Sequence, residues 1–269
     1  METLDLFEVK GTKREKRGIL LAYLPNPEQK STDSLPKDLA SKEIILAYEG
    51  LDEVLMESRI QFSSLQPDEI HGYTAVWRLD LAAHESRTIG YRIHLFTNNL
   101  PTSVVSVPNT FAEAKAEELL QEKIWTEQIT KIYTDNKSLN QIIDRAVQDI
   151  YLLRQTSEKF NFLSAGVPWF STLFGRDSII AASQTLVLDP AIARETLSIL
   201  AYHQGKTEDE WRDEQPGKIL HEIRLGEMAR CNEVPHTPYY GTVDATPLWL
   251  MLYAEYFAWT SDETTLDNL

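Results

Sequence analysis

One cysteine, Cys231, and no apolar stretch long enough to cross a bilayer remove several classes of protein at once. A lone thiol cannot close an internal disulfide. No His or Cys stands near it at zinc-ligand spacing, so neither a disulfide framework nor a structural zinc site is expected. A reducing compartment suits such a chain. Basic residues are also in short supply, with 26 Lys and Arg against 41 Asp and Glu, a formal charge of −15. That balance argues against a nucleic-acid surface or attraction to anionic lipid and fits a neutral ligand better. The N-terminus, Met1 to Glu8, lacks a basic segment followed by an apolar run, so a cytoplasmic protein is expected. Phosphate-binding loops, dinucleotide glycine fingerprints and the Gly-x-Ser-x-Gly elbow are all missing. His71, His84, His94, His203 and His236 are scattered and receive no role.

What is present divides the chain in two. From Ile19 to Thr97 apolar residues recur with a period of about two, the mark of strands with one buried face. Val54, Met56, Ile60 and Phe62 alternate with Glu57, Arg59 and Gln61. Tyr73, Ala75, Trp77, Leu79 and Leu81 repeat the pattern, as do Ile89, Tyr91, Ile93 and Leu95. Breaks at Gln66-Pro67-Asp68 and Ala83-His84-Glu85 lie at hairpin distances and favour an antiparallel sheet. Pro25 to Lys37 reads as a long surface loop. From Phe111 the period becomes helical. Phe111 to about Tyr133 suits a linker helix laid over the sheet, and Leu139, Ile142, Ile143, Ala146, Ile150 and Leu153 form an apolar stripe. Asp189-Pro190 and Thr246-Pro247 each place a capping residue ahead of a proline at the first helical position. Ser178 to Leu188 makes a further helix, and Ser261 or Asp262 caps another. The expected division is 1–100, the end of a β-rich domain; 101–137, a linker and linker helix; and 138–269, an array of helix pairs with functional loops at one end.

Two short segments concentrate the chemistry. In the first, Gly175-Arg176-Asp177-Ser178 follows the aromatic run Pro168-Trp169-Phe170. An Arg-Asp pair donates to and accepts from neighbouring sugar hydroxyls while an indole covers the C–H face of the ring, and exposed aromatics imply something that stacks on them. The plainer reading of Asp177 is a helix cap. The second segment runs from Tyr239 to Trp249 and carries Asp244 between Tyr239, Tyr240 and Trp249. Thr246 fills the cap there, which leaves Asp244 for another task. A carboxyl among rings is partly desolvated, so its pKa is expected to rise and a proton to remain for donation to a glycosidic oxygen. A second carboxylate on the opposite face of the sugar would then activate water. Glu222 and Glu227 are two further acids on a loop entering a short helix; surface salt bridging is the plainer reading of each, ligand contact the other. Trp125 and Trp211 are read as packing.

Taken in order, Phe174 to Ala181, Pro216 to Arg224 and Tyr239 to Pro247 resemble the bacterial amylo-α-1,6-glucosidase-like proteins of glycogen-debranching type. The segment from Asp5–Gly11 through Tyr48–Asp52 is likewise similar to the latter part of the β-rich N-terminal domain in those proteins. The resemblance covers nearly the whole chain. It implies a partial β-sandwich-type antiparallel sheet domain followed by part of an all-α (α/α)6 toroid whose active site lies at the loop-bearing end. It also implies inverting hydrolysis of α-1,6 or α-1,4 glucosidic bonds in an α-glucan or oligosaccharide, without metal or organic cofactor. By resemblance Asp244 matches the general acid, and Arg176 and Asp177 the motif holding the terminal glucose. Trp169, Phe170, Glu222, Glu227, Tyr239, Tyr240 and Trp249 are candidate substrate contacts. The base is expected to lie in a later part of the toroid with no counterpart here, which makes the chain a fragment and self-association or a complementing chain an expectation. Two alternatives stay open: a carbohydrate-binding or interaction module without hydrolysis, and a glucoamylase- or trehalase-like toroid glycosidase.

Overall fold

A computed structural model describes residues 18–23, 43–71, 74–98, 100–101, 108, 110–156 and 160–269. The expectations for Asp5 to Gly11, Pro25 to Lys37 and Tyr73 lie outside the described residues. The chain forms two compact units, Met1–Ala116 and Glu117–Leu269.

In the first unit five antiparallel strands pair in the order β1 (Ile19–Tyr23), β2 (Glu43–Glu49), β3 (Leu55–Phe62), β6 (Tyr91–Thr97) and β7 (Leu100–Pro101). A separate hairpin joins β4 (Glu69–His71) to β5 (Thr74–Val76). The antiparallel expectation holds, but two details differ. The strand expected to run to Leu81 ends at Val76, because Asp68 accepts from the Arg78 amide at 2.6 Å and the Trp77 indole donates to the Leu65 carbonyl at 3.0 Å. These bonds turn the backbone off the ladder. Burial also follows the expected face only in part, since Phe62 on it is buried while others on it are not. Tyr91, Ile93 and Leu95 of β6 are exposed, whereas Glu57 is buried, held by Arg59 at 2.6 Å. Arg59 in turn lies 4.1 Å from the Phe96 ring centroid. Period two is blind to this exchange, since a paired charge occupies a buried face as readily as an apolar side chain does.

The second unit is helical. Four helices after residue 136 are long: α2 (Lys137–Leu153), α3 (Gly175–Thr185), α4 (Pro190–Tyr202) and α6 (Ala245–Thr260). They follow α1 (Phe111–Gln128), which spans the division between the units, and a short hairpin of β8 (Arg154–Thr156) with β9 (Asn161–Leu163). Two single-turn helices, α5 (Glu227–Arg230) and α7 (Glu263–Leu266), complete the described set.

The core joins Ile179 and Ala182 of α3, and Leu186 at its C-cap, to Ile192, Leu197 and Leu200 of α4 and to Trp249, Leu252 and Tyr256 of α6. Each large side chain removed from water contributes about 1.5–3 kcal/mol before the entropy of ordering it. Helix α1, expected over the sheet, sends its buried Trp125 into this helical core, where the indole also donates to Asp189 at 3.2 Å. The stripe of α2 packs only through its C-terminal half, with Ile150 and Leu153 against the core while Leu139 and Ile142 remain exposed. Asp189 caps α4 as the Asp-Pro pair predicts, its side chain accepting from the Ala191 amide at 3.0 Å. Asp262 caps α7 in the same way through the Thr265 amide. Among the described residues no helix is long and apolar enough to cross a membrane.

Candidate functional site

Three chain segments meet ahead of α3 and α6. Phe174 bridges Glu222, and Glu222 bridges Tyr239, in antiparallel fashion. The Gly175 amide donates to the His221 carbonyl at 2.9 Å, the Ile223 amide to Leu173 at 3.2 Å, and the His221 amide to Tyr239 at 2.7 Å. This ladder lets α3 start at Gly175, so Arg176 and Asp177 fall inside the first turn. The expectation that Asp177 caps the helix is therefore corrected: Phe174 holds the cap position, and no side chain bonds there. The cap assigned to Thr246 is corrected too. Asp244 occupies the cap position of α6 without bonding a helix amide. The Thr246 hydroxyl instead accepts from the Ile219 amide at 3.0 Å and ties α6 to the neighbouring loop.

The consequence is a convergence of two helix starts. A guanidinium nitrogen of Arg176, Nη1, reaches Asp244 Oδ2 at 3.0 Å, and the Thr242 hydroxyl donates to Asp244 Oδ1. Both charged side chains remain partly open to solvent. The Thr242 hydrogen bond first, and the Arg176 pair after burial is set against it, hold the Asp244 carboxyl below its ordinary range. This overturns the expectation of a raised pKa. The aromatic neighbours that were to desolvate Asp244 do not do so. Trp249 is buried in the core and donates to the Leu197 carbonyl at 3.2 Å, and Tyr240 is buried with its hydroxyl on the His203 carbonyl at 2.7 Å. Burial pushes the Tyr240 phenol up to about 12. Both residues thus support the core.

The exposed aromatics of this region are Trp169 and Phe170, 45% and 38% accessible. Phe170 meets buried Phe174 edge to face at 5.9 Å between centroids. Trp169 is held through its backbone carbonyl, which accepts from Arg224 Nη1 at 3.0 Å. Arg224 also lies 5.1 Å from the Phe174 ring centroid and donates through Nε to Glu222 at 2.9 Å, and His236 Nε2 stands 3.4 Å from the other Glu222 oxygen. Glu222 and Glu227 are both buried, so surface salt bridging describes neither. Glu222 is the hub of an Arg224–Glu222–His236 cluster in which the carboxylate and the imidazole are buried and Arg224 is partly so. Removing it strands an arginine, and Glu222→Ala is expected to cost about 3–5 kcal/mol of stability, read as a lowered urea midpoint at unchanged slope.

Tyr239 is partly buried and donates to Asp213 at 2.8 Å, while its ring contacts His236 at 5.4 Å and His221 at 6.1 Å. Thr242, Arg224, His236 and Asp213 are the residues that sequence reasoning passed over. Thr242 alone left a signal, standing two residues before Asp244 as an obvious hydrogen-bond donor.

The loop beneath Tyr240 has its own anchor. Glu214 accepts from the Lys206 and Thr207 amides at 2.8 and 3.2 Å and pairs with Arg212 at 2.6 Å. The backbone bond from Lys206 leads the lowering of its pKa below the usual 4.5. A depressed folded pKa stabilises above the unfolded value and loses that contribution as pH falls through the lower, folded value. Glu214→Gln is therefore expected to flatten the acid limb of thermal stability below about pH 4.5, as checked by melting curves across that range.

Among the described residues no group of three or more His, Cys, Asp and Glu is disposed to hold a metal ion. No curated protein matches the chain. A family model does: residues 4–92 match the N-terminal domain of (some) glycogen debranching enzymes. That match covers β1 to β5 and the start of β6 and lies wholly outside the Arg176–Asp244 region. Through this N-terminal domain, and in accord with the motifs that follow it, the chain resembles the glycogen-debranching-type proteins.

Proposed function

We propose that the chain is a glucan-binding, acid-supplying part of a glycogen-debranching-type α-glucosidase. Arg176 and Asp177 hold a terminal glucose, Trp169 and Phe170 stack on the glucan, and Asp244 protonates the glycosidic oxygen during inverting cleavage of an α-1,6 or α-1,4 bond. The observation that carries this reading is the convergence of α3 and α6, which brings Arg176 to 3.0 Å from Asp244 at the aromatic-bearing end of a helical unit. An N-terminal domain of debranching-enzyme type on the same chain supports the substrate class.

The protein's part in the reaction divides by chemistry. A guanidinium and a carboxylate on one turn match adjacent donor and acceptor hydroxyls of a pyranose, and aromatic faces match its axial C–H groups. Proton donation by a positioned carboxylic acid contributes about 10²–10⁴-fold to such a cleavage. The attacking water requires a separate carboxylate base across the sugar ring. Glu222 and Glu227 are poor candidates for it, since both are buried.

A second reading, a carbohydrate-binding module without hydrolysis, is favoured by one feature: Asp244 is held in its ionised form by Thr242 and Arg176. The two readings separate in one assay. Glucose release from a branched α-glucan limit dextrin by the chain complemented with the segment that supplies the base supports the enzyme. Retained glucan binding without release supports the module, and absence of both removes the carbohydrate reading.

A further inference from the structure

We propose that Arg176 is a substrate-displaced lock on Asp244: in the free protein its guanidinium holds the carboxylate, and a sugar hydroxyl arriving at the Arg176–Asp177 turn draws it away so that Asp244 takes up the proton it must donate. The proposal rests on the function argued above and explains its main difficulty. A general acid has to carry a proton, yet Arg176 Nη1 sits 3.0 Å from Asp244 Oδ2 and Thr242 bonds the other oxygen. With both oxygens accepting from donors, the ionised form is favoured, and a proton is bound more readily once one partner leaves.

Of the two partners, Arg176 is the one able to leave. Thr242 is two residues from Asp244 on the same loop, so its hydroxyl stays within reach. Arg176 belongs to another helix, its side chain is 47% accessible, and it ends a long, rotatable stem. An ion pair this open is weakly held in water, so competing hydroxyl ligands are enough to redistribute it. Asp177, exposed on the same turn, supplies an acceptor that places those hydroxyls beside the guanidinium. Thr242 leads the lowering of the Asp244 pKa and Arg176 follows it, the charged partner among the described residues, so its movement releases a part of the hold that Thr242 leaves in place.

The proton balance is simple. Asp244 takes one proton from solvent when the lock opens and passes it to the glycosidic oxygen as the C–O bond breaks. Water supplies hydroxyl to the anomeric carbon, and its other proton returns to solvent. In this role Arg176 is a positioning residue for the acid, in addition to any contact with sugar.

The test titrates the Asp244 side-chain carboxyl by NMR in the full chain carrying ¹³C-labelled aspartate, with Asp244→Asn assigning the signal. Without sugar, Arg176→Gln is expected to raise the Asp244 midpoint toward the ordinary aspartate value, while Arg176→Lys retains most of the depression. An unchanged midpoint in a folded Arg176→Gln chain overturns the lock. If that variant fails to fold, Arg176→Lys and Thr242→Val decide instead: a lock predicts an intermediate midpoint in the first and a preserved response to sugar in the second. With maltose added, the wild-type midpoint is expected to rise, and saturable binding with no rise overturns displacement while leaving the proposed function intact. No binding of maltose or limit dextrin overturns the function and displacement together.

Discussion

Asp244→Asn is expected to reduce glucan hydrolysis by about 10²–10⁴-fold in any catalytically complete form while leaving glucan affinity within a few-fold of wild type. The reason lies in what the amide keeps and loses. Asparagine has nearly the same volume and can still accept from the Thr242 hydroxyl that now bonds Oδ1. It loses the charge that draws Arg176 to 3.0 Å and, above all, the ability to deliver a proton. Freed of that pair, Arg176 is more available to sugar, so binding has no reason to weaken. Initial rates of glucose release and equilibrium binding, measured on the same preparations, separate the two effects. Hydrolysis that survives the substitution means that Asp244 is not the acid. Loss of binding together with activity in a folded variant means that Asp244 grips the sugar instead.

The helix pattern and the two motif-bearing segments were legible because both depend on local signals. The change of period at Phe111, the Asp189-Pro190 cap and the glycine before Arg176 are properties of short segments, and each has its counterpart in the structure. What sequence could not reveal was direction and partnership. Trp249 and Tyr240 flank Asp244 along the chain, yet each finds a carbonyl in the core, at Leu197 and His203, and turns away from it. Asp244 thereby loses the desolvation that sequence proximity suggested and gains Arg176, a neighbour 68 residues away in the chain. Glu222 fails in the opposite sense. It resembles a surface acid until Arg224 and His236 close around it. On the sheet, alternation located β3 and β6 but could not say which face is covered, because the Glu57–Arg59 pair lets a charged row stand where an apolar one was expected.

Gly175→Ala is expected to destabilise the helical unit by about 2–4 kcal/mol, against the gain of about 1 kcal/mol that alanine ordinarily brings to a helix. A methyl group built on Gly175 would stand 2.1 Å from the Leu220 carbonyl oxygen, 3.3 Å from its carbon and 3.5 Å from the Ala245 side chain. The first contact is with backbone, so no rotamer change relieves it; the segments must separate. They are the ones joined by the Gly175 amide on the His221 carbonyl at 2.9 Å and by the bridge from Phe174 to Glu222. Separating them moves the start of α3 away from the start of α6, which stretches the Arg176–Asp244 pair at the same time. Stability and site geometry are thus expected to fail together. Gly166→Ala is the matched control, since a methyl group there meets only the Phe170 side chain at 3.9 Å. Urea midpoints should fall steeply for the first variant and remain near wild type for the second. In whatever fraction of Gly175→Ala remains folded, the Asp244 carboxyl should titrate nearer its ordinary value, because the same displacement that breaks the ladder also pulls Arg176 from its partner. A Gly175→Ala chain as stable as wild type would mean that the close approach of Gly175 to Leu220 does not hold the two helix starts together.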